Sequence, residues 1–421
     1  MTTDQDRHRK LAQTLGPGLI TGAADDDPSG IATYSQAGAQ FGFAMLWTVV
    51  LTLPLMIAIQ SVAGRIGRVT GCGLASNMRK IFPRWAVVVV VVLLLVANIV
   101  NIAADLTAMG AAADLVWPEP VDHLYVVVFA VISLLLQVFL PYDRYVRVLK
   151  WLTLALLAYV AVVFVVGADW GQVLRGALVP QFRLDGAAIT MIVAVFGTTI
   201  SPYLFFWQSS QEVEEIHNHR GEHALREAPA EAPEELRRIR YDTEFGMLFS
   251  NLVAFFVMLT TAVTLHAAGA SEITTAADAA AALRPVAGDF AFALFALGII
   301  GTGFLAVPVL AGSAAYAVAE AMGWRSGLAH RVKEAVGFYS VLAIAVLGGV
   351  ALDFTGVDPI RALIGAAVIN GIVAPVIMAV SMVIASRADV MGRFTATRLQ
   401  QVLGWLATAV MAAAALALVF V

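Results

Sequence analysis

The sequence predicts an all-α integral membrane fold: two repeats of five spans that enter the bilayer in opposite senses, followed by an eleventh span. Three observations predict it: the apolar composition, eleven windows of membrane-crossing length, and two helix-breaking motifs at corresponding positions of the two halves. Of 421 residues 60% are apolar and 13% charged, and mean hydropathy is +0.82, more apolar surface than a water-soluble domain can hide. The surrounding solvent is therefore lipid. A net charge of -4 leaves no basic face for nucleic acid. The single cysteine, Cys72, builds neither a disulfide nor a thiolate metal site. The first apolar stretch runs into three aspartates without a small-residue cleavage pattern, so it reads as a retained span and not as a signal peptide.

Crossing the hydrocarbon core takes ~20 helical residues. Windows of that size fall at 14–42, 43–64, 85–113, 123–140, 148–167, 187–211, 246–268, 287–318, 335–353, 359–385 and 401–421. Their apolar runs are continuous, where a barrel strand would alternate. Lysine and arginine collect on cytoplasmic loops. With the N-terminus inside, only Arg175, Arg183, Arg284 and Arg361 of the 26 cations fall on the outer side, a split that one miscounted span would scramble. The expected location is the inner membrane, with the C-terminus outside. The chain reads as one transmembrane domain with a first repeat at 1–167, a second at 187–385 and an additional span at 401–421. The polar insertion 212–244 reads as a mobile cytoplasmic loop leading into a short surface helix.

A charge at the bilayer centre costs at least ~2.5 to 3.5 kcal/mol, so an acid within a span implies function. Asp25, Asp26 and Asp27 precede Pro28, Ser29 and Gly30 about twelve residues into the first span, a depth of ~18 Å. Proline removes a backbone donor and glycine tolerates any φ, so the helix unwinds there and frees carbonyls. Such backbone must line protein or a watery cavity. The sixth span repeats the device from Gly197 to Tyr203 around Pro202. Because each block holds five spans, an odd number, the two breaks belong to oppositely oriented repeats. A transporter with its site between two discontinuous helices has this pattern.

The run Asp27-Pro28-Ser29-Gly30 continuing through Gln36-Ala37-Gly38-Ala39-Gln40-Phe41-Gly42 resembles the first-span motif of the NRAMP divalent-metal transporters. Gln60-Ser61, the Gly67 to Gly71 stretch and Ala104-Asp105-Leu106 match further. The resemblance implies a LeuT-type fold of ten core spans plus one, a divalent metal ion as substrate, and no enzymatic activity. The departures are as informative. Gly30 stands where the family has asparagine, Ser201-Pro202-Tyr203 where it has Met-Pro-His, and Ala108 where it has glutamate; the ninth span has no midspan arginine. The chain looks like a divergent branch, similar to the NRAMP-related magnesium transporters.

On this resemblance Asp27 is the first metal ligand, joined by the Ser201 hydroxyl, the Thr198 main-chain carbonyl and a carbonyl near Ala24. The set is all oxygen, which suits Mg²⁺ or Mn²⁺ over softer ions. Gly30 in place of asparagine and Ser201 in place of methionine leave room for the waters that Mg²⁺ keeps. Asp26 is a candidate contact to ion or water, and Asp25 a weaker one, since successive helical positions point in different directions. The resemblance makes Asp105 part of a proton route, against a buried structural carboxyl. Tyr203 is a possible gate, and Asn370 with Gly371 forms a polar notch facing either the site or a neighbouring helix. The seven histidines, His8, His123, His217, His219, His223, His266 and His330, fall in loops or span ends, so uptake is expected to be driven by potential without proton coupling. The sequence calls for no cofactor and no obligate protein partner. A proton-coupled Mn²⁺ or Fe²⁺ importer and an amino-acid transporter on the same scaffold stay open, and an aspartyl-protease dyad of Asp27 and Asp105 is the alternative from another class.

Overall fold

The computed structural model describes residues 17–118, 121–139, 155–181, 185–218, 223–356 and 358–420. Residues 148–154 of the fifth expected span, with Arg7, Arg9, Lys10, Arg144, Arg147, Lys150, Arg183, Arg220, His8 and His219, lie outside the described residues. Each expected span is met by a helix. The first is split into α1 (Pro17–Asp25) and α2 (Pro28–Phe41), and α3 (Leu46–Thr70) follows. A surface helix α4 (Leu74–Ile81) leads to α5 (Arg84–Asp114). The shorter apolar helices α6 (Leu124–Phe139) and α7 (Leu157–Val166) complete the first repeat, and α8 (Trp170–Leu178) connects the halves.

The second repeat opens with another split span, α9 (Gly186–Thr199) and α10 (Pro202–Asn218). It continues through α11 (Ala232–Thr261), α12 (Ala276–Ala281), α13 (Ala291–Met322), α14 (Val336–Asp353) and α15 (Pro359–Ser386). The last span is α16 (Arg398–Ala417). By length and composition eight helical runs among the described residues can cross a membrane, with α6 and α7 shorter.

The structure corrects the polar insertion at 212–244. Helix α10 runs through Glu212 to Asn218, and α11 begins at Ala232, so the expected surface helix is the first part of the seventh span. Several charges of this segment are paired within the protein. Arg238 meets Glu212 at 2.6 Å and Glu235 at 2.9 Å, and Arg68 meets Glu235 at 3.1 Å. Composition alone cannot tell a solvated charge from one whose partner lies on another helix.

Close packing rests on small residues, as between membrane helices generally. A Cβ added at Gly22 of α1 would sit 2.3 Å from the Gly246 carbonyl of α11, and one at Gly197 of α9 would sit 2.3 Å from the Gly371 nitrogen of α15. Helix α5 packs along α13, α14 and α15, while both halves of the first span lie on α11. The two broken spans are thereby held inside the bundle, away from lipid. On the face bearing the N-terminal end, Gly18 N donates to Asp242 at 2.7 Å and Gln60 donates to Gln208 at 2.6 Å. Toward the opposite face a small apolar recess lies over Pro28, lined by Ile31, Ala108, Ala279, Phe295 and Leu363.

Candidate metal site

The two breaks share one physical cause. In an α-helix the carbonyl of residue i accepts from the N–H of residue i+4, and proline has none to give. Pro28 thus leaves the Ala24 carbonyl without its helical donor, and Pro202 does the same to Thr198. Helix α1 stops at Asp25 and α9 at Thr199. Both C-terminal ends carry partial negative charge from their free carbonyls. The Thr198 carbonyl takes a hydrogen bond from Ser201 Oγ at 2.8 Å, so these two expected ligands lie together.

Asp27 sits between the half-helices as the N-cap of α2, with extended backbone (φ -70, ψ 166). Its Oδ1 accepts from Gly30 N at 2.6 Å and from Ser29 Oγ at 2.9 Å. Its Oδ2 accepts from Asn101 Nδ2 of α5 and from the Tyr203 hydroxyl of α10, each at 3.3 Å. Gly30 faces the other break: a Cβ there would lie 3.1 Å from Thr198 Oγ1 and 3.3 Å from Asp27 Oδ1. Tyr34 and Thr199 tie the halves together through a hydroxyl pair at 2.9 Å. Asp27, Asn101, Thr198, Ser201 and Tyr203 are each 2% exposed or less. None of the hydrogen bonds to the Asp27 carboxylate comes from a lysine or arginine.

The structure thus gathers Asp27, Gly30, Thr198, Ser201 and Tyr203, with Ala24 one turn before the first break. Asp25 and Asp26 turn toward α11, where the Ser250 hydroxyl bridges them at 2.8 and 3.1 Å. One oxygen of each has no hydrogen-bond partner. Among the described residues no three His, Cys, Asp or Glu side chains converge as a metal-holding group, since Asp27 caps α2 while Asp25 and Asp26 accept from Ser250. Asp105 is fully buried beside Asp27 and the Ser29 backbone, and neither of its oxygens makes a well-formed hydrogen bond. Gly371 packs on Val193 and Gly197, while the Asn370 amide is buried with neither end bonded.

Sequence reasoning missed Asn101, Ser29 and Ser250. Asn98, Asn101 and Asp105 follow at spacings of three and four on α5, which puts them on one helical face. That stripe was the available signal for Asn101. Asn98 is used in packing, donating to the Leu310 carbonyl and to Ser313, each at 2.8 Å. Ser250 carries no comparable sequence signal, since a lone serine in an apolar span is ordinary helix packing.

A family profile described as natural resistance-associated macrophage protein-like (Nramp) matches residues 18–421. The chain belongs to the Nramp family. The match reaches far beyond the first-span, second-span and third-span motifs that carry the resemblance. Among relatives, the divalent metal cation transporter MntH of Yersinia pestis is 30% identical over 305 residues, 70% of either chain. MntH of Klebsiella pneumoniae is 26% identical over 410 residues, 96% of this Nramp protein and 92% of the relative. The fold matches the Eremococcus coleocola manganese transporter with a TM-score of 0.77 at 18% identity, covering 97% of this chain and 86% of that one. It also matches Mhp1, a nucleobase-cation-symport-1 family transporter, with a TM-score of 0.53 at 14% identity, covering 95% and 92%. These neighbours bear out the all-α, LeuT-type membrane fold. The relatives are named as transporters, a non-enzymatic activity, which removes the protease reading of Asp27 and Asp105.

Proposed function

We propose that this Nramp protein carries a divalent cation, Mg²⁺ or Mn²⁺, across the membrane through Asp27, and that no stoichiometric proton flux accompanies it. The observation that carries the metal is the buried Asp27 carboxylate, met only by amide and hydroxyl dipoles. Burying a carboxylate without an opposite charge is costly, and a dication offsets that cost. As further ligands we propose the Thr198 and Ala24 carbonyls and the Ser201 hydroxyl, with Gly30 leaving space and Asp26 adding negative charge. Hard oxygen donors of this kind suit Mg²⁺ and Mn²⁺. The relatives' names, divalent metal cation transporter and manganese transporter, support the same class.

The orientation we propose has the N-terminus in the cytoplasm and the C-terminus outside, following the lysine and arginine distribution. The Arg68, Glu235, Arg238 and Glu212 cluster then lies toward the cytoplasmic side. For coupling, Tyr203 and Ala108 replace ionisable family positions, and no chain of bonded side chains leads away from Asp105 among the described residues. Moving a dication inward across 100 mV gains ~4.6 kcal/mol, taking ~2.3 per charge, so the potential alone suffices to drive uptake.

Proteoliposomes offered Mg²⁺, Mn²⁺ or Ca²⁺, with potassium diffusion potentials clamped and a pH dye inside, test both parts. Uptake should follow the potential, and the dye should stay flat. Interior acidification that tracks influx and disappears in Asp105→Asn would replace this reading with a proton-coupled one.

A further inference from the structure

Asp27 is saturated by donors, and they are not equivalent. An ionised carboxylate offers about four lone-pair positions, and all four are taken. The two bonds to Oδ1 come from Ser29 and Gly30 and build the start of α2. The two to Oδ2 come from other helices and are the long ones, at 3.3 Å. A cation that takes the carboxylate directly has to displace a donor, and those on Oδ2 can leave without unwinding α2.

Tyr203 can answer by turning its hydroxyl and presenting a lone pair. Asn101 has the same option through its amide, whose two ends are nearly equal in size and opposite in polarity. Its Oδ1 is buried and bonded to nothing. A half-turn of the amide brings that oxygen to where Nδ2 now faces Asp27, and sends Nδ2 to the other side. Asp105 lies four residues on, where helical geometry leans a side chain back over residue 101. Its carboxylate oxygens lack well-formed hydrogen bonds and can accept from the displaced NH₂.

We propose that Asn101 is the polarity switch of the cation site: its amide donates to Asp27 in one setting, and in the other presents Oδ1 to the cation or its water shell while Nδ2 donates to Asp105. The inference rests on the reading of Asp27 as a cation ligand and assigns the site a specificity residue on α5. A neutral carbonyl oxygen is a hard donor, and it accepts from the waters that Mg²⁺ surrenders reluctantly. The switch therefore favours Mg²⁺ over ions that shed water readily.

Calorimetry with MgCl₂ and with MnCl₂ on the purified full chain tests it. Asn101→Leu keeps the size and removes both polar ends, and Mg²⁺ affinity should fall about tenfold or more, with Mn²⁺ affected less. Asn101→Asp keeps an acceptor oxygen, and its Mg²⁺ to Mn²⁺ preference should stay within about twofold of the unaltered chain. If the unaltered chain binds neither ion, the cation reading of Asp27 fails. If it binds and Asn101→Leu keeps both affinities within about threefold, the switch is overturned and Asp27 stands. Equal losses for both ions in Asn101→Leu and Asn101→Asp would likewise overturn it, by showing a purely structural role. Where Asn101→Leu fails to fold, Asn101→Ser carries the test, its hydroxyl being too short to reach Asp27; the same tenfold fall is expected, and about threefold or less overturns the switch.

Discussion

Replacing Asp27 by asparagine separates the ligand from the scaffold. The new side chain keeps one carbonyl oxygen, which can go on accepting from Gly30 N and Ser29 Oγ, now at 2.6 and 2.9 Å. Asparagine is about as good an N-cap as aspartate, so α2 should start where it does. On the Oδ2 side an NH₂ replaces an acceptor, and both partners can reverse: the Tyr203 hydroxyl accepts, and Asn101 offers its unbonded Oδ1. All four contacts survive with the polarity changed on one side, so folding stability should move by no more than about 1 kcal/mol. Binding is another matter. A +2 and a -1 charge about 4 Å apart attract by roughly 8 kcal/mol gross at an effective dielectric of 20. Dehydration offsets much of that, and losing one partner of a buried pair costs a net of about 3 to 5 kcal/mol. That is more than a hundredfold in affinity. Asp27→Ala should lose binding as well, but it also removes the cap, about 1 kcal/mol, and strands four donors. Calorimetry for the cation and thermal unfolding in detergent read the two effects separately. Binding by Asp27→Asn within about threefold of the unaltered chain would refute the ligand assignment. Unfolding of Asp27→Asn as early as Asp27→Ala would refute the reversal of polarity.

Two further perturbations test the surroundings. Ser201→Met places a polarizable sulfur beside the Thr198 carbonyl, so the Mn²⁺ to Mg²⁺ transport ratio should rise about fivefold or more; an unchanged ratio in competition uptake means that Ser201 does not face the ion. Gly22→Val drives a side chain into the Gly246 backbone, where even a Cβ would sit at 2.3 Å, so α1 should be pushed off α11 and uptake should fall about tenfold. Thiol labelling of Thr21→Cys in a Cys72→Ser background should accelerate in step, and an unchanged labelling rate would show that α1 stays seated.

The sequence by itself determined the solvent, the all-helical membrane architecture and the position of both breaks. These depend on local chemistry: apolar length, charge placement, and prolines that deprive the Ala24 and Thr198 carbonyls of their helical donors. Asp27 was legible for the same reason, because an acid in mid-span beside a proline carries its meaning in its own neighbourhood. What only the tertiary structure decided are relations between helices. That Asn101 meets Asp27, that Ser250 bridges Asp25 and Asp26, and that Glu212 and Arg238 are partners in a buried cluster all depend on which faces pack together. Hydrogen bonds and ion pairs are directional and short in range, while sequence separations of 74, 225 and 26 residues leave no trace in local composition, so these pairings exist only once the packed bundle brings their helices side by side.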